Sequence, residues 1–174
     1  YTAFAHYFEG HGEMDKAEAI YDDLIRNVPF PISFHAFVGF LLHSKKDYQK
    51  AKEKFAKAIA ISIKTQNNNK LSISYELLAQ CLVLLQDYQQ AEQNLKLSIE
   101  VGKLSKINIT QGRALWKLAE LYHLQKQEAK SLKTIEKSEQ LLLKNNDKLE
   151  LISAYKIKGD ILNALHQYPQ ANSS

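Results

Sequence analysis

Residues that make turns are scarce here, with six glycines and three prolines in 174 residues. All-β folds turn often and consume both types, so this economy argues for long helices joined by short connections. The single cysteine, Cys81, excludes an intrachain disulfide and a Cys-rich metal site. It reads as a small buried apolar side chain. No apolar run approaches the roughly 20 residues of a membrane helix; Leu82-Val83-Leu84-Leu85 falls far short. Neither sign of charge dominates: 23 Lys and Arg against 19 Asp and Glu give a net +4. That balance admits an acidic partner without requiring one. Phosphate-binding glycine loops and a Gly-x-Ser-x-Gly nucleophile motif are both missing, and Gly10-His11-Gly12 reads as a turn. Of six histidines, no two stand four residues apart as a helical metal pair would. No enzyme activity, metal or cofactor is therefore expected.

What the sequence does contain is repetition. Asp47-Tyr48-Gln49-Lys50-Ala51 returns forty residues later as Asp87-Tyr88-Gln89-Gln90-Ala91, then as Gln127-Glu128-Ala129-Lys130-Ser131 and Gln167-Tyr168-Pro169-Gln170-Ala171. Ala17 precedes Ala51 by 34 residues. Twelve residues before each anchor stands a second small residue: Ala5, Gly39, Ala79, Ala119, Gly159. Three places further on comes Phe8, Leu42, Leu82, Tyr122 or Leu162. Small side chains let two helices approach closely, and the large neighbours fill the space beside them. A period of 34 to 40 residues suits a pair of helices per unit.

This pattern resembles the tetratricopeptide repeat family in its long-repeat form. The first unit carries Ala5, Phe8, Ala17, Tyr21 and Pro29 at the signature places, and the second carries Gly39, Leu42, Ala51, Phe55 and Ala58. Leu118-Ala119-Glu120-Leu121-Tyr122 matches the central stretch. Ser131 in place of Ala, and Lys158 in place of an apolar residue, depart from it. The resemblance implies an all-α, right-handed superhelical solenoid of antiparallel helix hairpins. Repeats are expected near 1–30, 31–66, 67–106, 107–146 and 147–174. First helices are expected near 1–10, 31–43, 69–85, 108–124 and 147–165, and second helices near 13–27, 47–66, 87–104 and 127–145. The pattern starts mid-helix at Tyr1, and a further helix is due at Gln170-Ala171, so the expectation is a fragment of a longer chain.

The resemblance also implies that first helices line a concave face, through the second, fifth, ninth and twelfth place of each unit. The expected binding residues are Phe40 and His43 in unit two, and Ile73, Glu76 and Gln80 in unit three. Arg113, Trp116 and Glu120 follow in unit four, then Lys156, Asp160 and Asn163 in unit five. Phe40 and Ile73 would present apolar surface, and Arg113 with Lys156 would meet an acidic group. An exposed Trp or Phe can instead pack on a neighbouring helix, on a further sixth unit or on a second copy of the chain. The carboxylate clamp of some relatives is not expected from these units, because Thr2, His6, Phe37, Ile73 and Leu77 hold its places, and would have to come from units upstream.

The function implied is a cytoplasmic scaffold for a protein or peptide ligand, with no direct nucleic-acid or membrane binding and a possible homodimer. The lysines from Lys45 to Lys57 lack the aromatic neighbours a nucleic-acid surface needs. The alternative is a sensor that binds a signalling peptide and controls an attached output domain. Such receptors grip the peptide backbone with asparagines, and here Asn163, with Gln80 in partial support, answers that description.

Overall fold

The computed structural model describes the backbone over 48–104 and 109–171, with short pieces at 11–13, 15–16 and 19–20; side chains are described over 48–104 and 110–166. Phe40, His43 and the anchors Ala5, Ala17 and Gly39 lie outside the described residues. The chain divides into two compact units, Tyr1–Lys54 and Phe55–Ser174. In the first, Gly12 turns with φ of 74°, at the break the sequence predicts between its two helices.

Six helices follow, named here α1 (Tyr48–Lys64), α2 (Asn68–Leu84), α3 (Tyr88–Leu104), α4 (Ile109–Leu124), α5 (Glu128–Lys144) and α6 (Lys148–Ala171). The described residues contain helices, turns and no strand. The second helices α1, α3 and α5 begin at 48, 88 and 128, forty residues apart. Starts are set by side chains that accept orphan amide hydrogens. Asn67 Oδ1 accepts from Lys70 N at 3.0 Å, Asp87 Oδ1 from Gln90 N at 3.2 Å, and Asp147 Oδ1 from Glu150 N at 3.2 Å.

The ends share one geometry. Gln66, Gln86, Lys126 and Asn146 all take positive φ, between 50° and 61°. At each, the next amide reaches back five residues and the turn amide reaches back three, as in Asp87 N to Leu82 O at 2.8 Å and Gln86 N to Val83 O at 3.0 Å. This is the Schellman closure, here with a side chain where glycine is usual.

Packing within the second unit follows the small residues. α3 lies on α2 and α5 on α4, while α4 also meets α3 and α6 meets α5. Ala79, Ala91, Ala119 and Ser131 are all fully buried, as is Ala51 in the first unit. The departure at Ser131 has a use: its Oγ donates to Ala119 O at 2.6 Å, so the two small-residue series touch. A second seam of small residues runs parallel to the first. The Ser72 and Ser98 hydroxyls each reach the other's carbonyl, at 2.9 and 2.8 Å. Forty residues on, Ser138 Oγ donates to Gly112 O at 2.7 Å. A methyl at Gly112 would stand 2.5 Å from Leu142 Cδ2, so any larger residue there would force that leucine to move. The core beyond it joins Ala119, Ile135, Leu142, Leu151, Ala154, Ile157 and Ile161.

The last helix corrects two expectations. A turn was due after 165, with Ala171 opening a second helix. Instead α6 runs unbroken for 24 residues and ends at Ala171. Gly159 is exposed, with nothing near the place of its missing Cβ, whereas Ala79 and Ala119 are buried.

Candidate partner-binding surface

The first helices of successive hairpins are in contact, α2 with α4 and α4 with α6. Their shared stripe is deepest on α2, where neighbours cover the helix on several sides, and shallowest on α6. Ile73 and Glu76 are buried, at 8% and 2% exposure. The expectation that Ile73 offers exposed apolar surface is therefore corrected. Nine residues of α2 are buried, Ser72 to Ser74 consecutively, which is the mark of a helix enclosed on more than one side.

A charged chain links the three helices. Arg113 Nε donates to Glu76 Oε2 at 2.7 Å, and Arg113 Nη1 lies 3.8 Å from Glu150 Oε1. Lys117 Nζ approaches Glu76 Oε1 at 3.7 Å and sits 4.5 Å above the Trp116 ring. The Trp116 indole N–H donates to Glu150 Oε2 at 2.8 Å. Burial opposes the charge on Arg113, but Glu76 and then Glu150 outweigh it and raise its pKa above the ordinary value. Two carboxylates thus balance two cations in a mostly buried floor.

This overturns two site assignments. Arg113 cannot serve as an open anchor for an acidic ligand group, because Glu76 and Glu150 already engage it. Trp116 packs against the core and is tied to the next helix, which is the neighbour-packing alternative raised above. Both hold the floor in place. Glu150 was missed, because it falls before the stripe read from the sequence.

Above this floor, the ninth and twelfth places stay open. Gln80 and Val83 on α2 and Glu120 on α4 are half-buried, while Asp160 and Asn163 on α6 are exposed, as is Lys156 at the fifth place. His123, at the twelfth place of α4, is held by Glu128 Oε2 at 2.6 Å from Nδ1.

On the opposite side of α4, Tyr122 Oη donates to Glu92 Oε1 at 2.8 Å, and Lys96 and Lys130 approach the same oxygen at 2.8 and 3.3 Å. Lys130 Nζ also stands 3.8 Å from the Tyr122 ring centre. Burial works to raise the Glu92 pKa, yet these three donors bring it down to about 2. Burial, then the bond to Glu92, pushes the Tyr122 hydroxyl up. Lys158, out of place in the repeat pattern, pairs with Glu139 on α5. No group of metal-ligating side chains occurs among the described residues. No described helix is long and apolar enough to cross a membrane.

Comparison with known proteins agrees with this architecture. A family model described as tetratricopeptide repeat matches residues 32–103. The general transcriptional corepressor trfA of Dictyostelium discoideum is 33% identical over 85 residues, which is 49% of this chain and 6% of that protein. The apo form of RapI superposes with a TM-score of 0.68 at 19% identity, covering 98% of this chain and 50% of its own. A Podosopora anserina protein described as kinesin light chain, with nearly identical tetratricopeptide-like repeats, superposes with a TM-score of 0.60 at 17% identity, covering 99% and 92%. The chain thus spans half the length of RapI and a small part of the corepressor. The fold is that of a tetratricopeptide-like helical repeat.

Proposed function

We propose that the chain is a scaffold that holds a protein or peptide segment along its first helices, the face that lines the concave side in tetratricopeptide repeats. One observation carries this reading. On three successive first helices, places forty residues apart remain uncommitted, Gln80, Glu120 and Asp160, with Asn163 one turn beyond. Below them Glu76, Arg113, Glu150 and Trp116 satisfy one another and fix the helices. A rigid base under an open polar row loses little freedom when a ligand docks. The row carries carboxylates and amides on a neutral floor, so it suits a ligand that offers backbone amides and basic groups better than the acidic ligand the sequence suggested. The sensor reading needs several backbone-gripping amides, and Gln80 and Asn163 supply two, so the scaffold reading is better supported.

The test is a peptide selection from a displayed random library, followed by titration of the selected peptides. Gln80→Arg combined with Glu120→Arg is expected to weaken binding at least about tenfold with the melting midpoint unchanged. Peptides that bind the double variant as well as the parent would refute the assignment of this face.

A further inference from the structure

Where the other repeats carry Tyr48, Tyr88 and Tyr168, the fourth unit carries Glu128. This carboxylate opens α5, is only 6% exposed, and its Oε1 is buried with no hydrogen-bond partner. Its Oε2 lies 2.6 Å from His123 Nδ1. An ionised carboxylate only accepts, so Nδ1 carries the hydrogen and Nε2 is the nitrogen that gains or loses a proton. His123 is half-buried at the twelfth place of α4, one turn beyond Glu120 on the stripe assigned to the ligand. Neither residue belongs to the repeat signature, and they coincide in this hairpin alone. The corresponding pairs are His43 with Tyr48, Val83 with Tyr88 and Asn163 with Tyr168.

We infer that His123 and Glu128 are a proton-operated charge at the groove, which holds a basic segment tightly when the ring is neutral and loosely when it is protonated. The inference rests on the scaffold reading and adds its regulation. Nδ1–H donates to Glu128 in both states, so the ring keeps its place and only the charge changes. With the proton on Nε2 the pair is neutral. Without it the pair carries a negative charge, and no other cation among the described residues pairs with Glu128 to offset it. Partly buried charges are weakly screened, so the ligand feels the difference. Glu120 precedes His123 on α4, and Asp160 holds the matching place on α6, so losing the proton extends a row of carboxylates. The other ionisable groups at this end are Lys126 in the turn, Asp87 in the preceding turn and His166 on α6, while α2 adds only Gln80 and Val83 to the stripe.

Affinity is measured from about pH 5.5 to about pH 8, the range in which imidazoles change charge, at constant ionic strength. The probe is a lysine-bearing peptide from the selection above, with blocked ends and no group that titrates in this range. The parent is expected to bind about three- to tenfold tighter at the upper end than at the lower. His123→Gln should hold the tight level throughout and His123→Lys the weak level, while His166→Gln follows the parent. The ring's own titration, followed through its Cε1–H resonance, should move to lower pH when the peptide is added, because coupling is reciprocal. A parent with no pH response would overturn the proposal. So would a response that survives in His123→Gln, or a ring titration that the peptide leaves unmoved, and the pair would then be only a brace for the turn. Failure of the groove reading shows separately, at the upper end of the range, as equal binding to the parent and to the Gln80→Arg, Glu120→Arg variant, and it removes this inference with it.

Discussion

At the scale of single residues, departures from the repeat pattern turn out to be bonded. Ser131 stands where Ala is usual, and its hydroxyl reaches Ala119 O on the facing helix. Lys158 stands at an apolar place and finds Glu139. Glu92 shows how strongly a site can be tuned: against the effect of burial, Lys96, Tyr122 and Lys130 draw its pKa from 4.5 to about 2. A folded-state pKa below the unfolded one gives stability that is full above the unfolded value and fades as pH falls through the folded one. Glu92 therefore stabilises the fold above about pH 4.5 and stops doing so near pH 2. Urea midpoints of the parent and of Glu92→Gln, taken from neutral pH to about 2, should differ most near neutrality and converge in acid. A gap that stays constant with pH would contradict this assignment.

At the scale of elements, the helix pattern was legible to within a residue or two, except at the end of α6. The reading 87–104 became Tyr88–Leu104, and 127–145 became Glu128–Lys144. Steric fit explains this success, because a small residue returning in phase leaves few other ways to nest two helices. The turns were less legible. Three of the four left-handed turn residues are Gln66, Gln86 and Lys126, side chains with no turn signature, so only the Asn145-Asn146-Asp147 turn announced its conformation. Such residues carry a cost of roughly 1 kcal/mol that glycine avoids, less for asparagine. Lys126→Gly is expected to raise the melting midpoint by about 2 to 4 °C, and Asn146→Gly by less. Calorimetry checks both, and a lowered midpoint for Lys126→Gly would mean that the lysine side chain contributes more than the strain. The end of α6 was placed too early, at 165, whereas the helix runs on to Ala171.

At the scale of the second unit as a whole, the site was only partly readable. Glu76, Arg113 and Trp116 were found as members of the stripe, because equivalent places recur with the repeat. Their roles were not, since pairing depends on the offset between neighbouring helices. Glu76 to Arg113 and Arg113 to Glu150 each span 37 residues, three short of the repeat, so neither pair shows up in the forty-residue register. Removing one member leaves a buried charge uncompensated. Arg113→Met is expected to cost about 3 kcal/mol, because Glu76 keeps only the more distant Lys117. Adding Glu76→Gln to that variant should recover a large part of the loss, read from denaturant midpoints. Simple additivity of the two changes would show that they do not act through one another.

The hydroxyl seams have a consequence for how the chain is made. Ser131 to Ala119, Ser72 to Ser98 and Ser138 to Gly112 close over 12 or 26 residues, each inside one hairpin. A hairpin can therefore close its own seams as it leaves the ribosome, before its successor is translated and covers its remaining apolar face. A pause in synthesis between hairpins leaves hydrogen-bonded pairs of helices behind it, each waiting only for the next to stack on it.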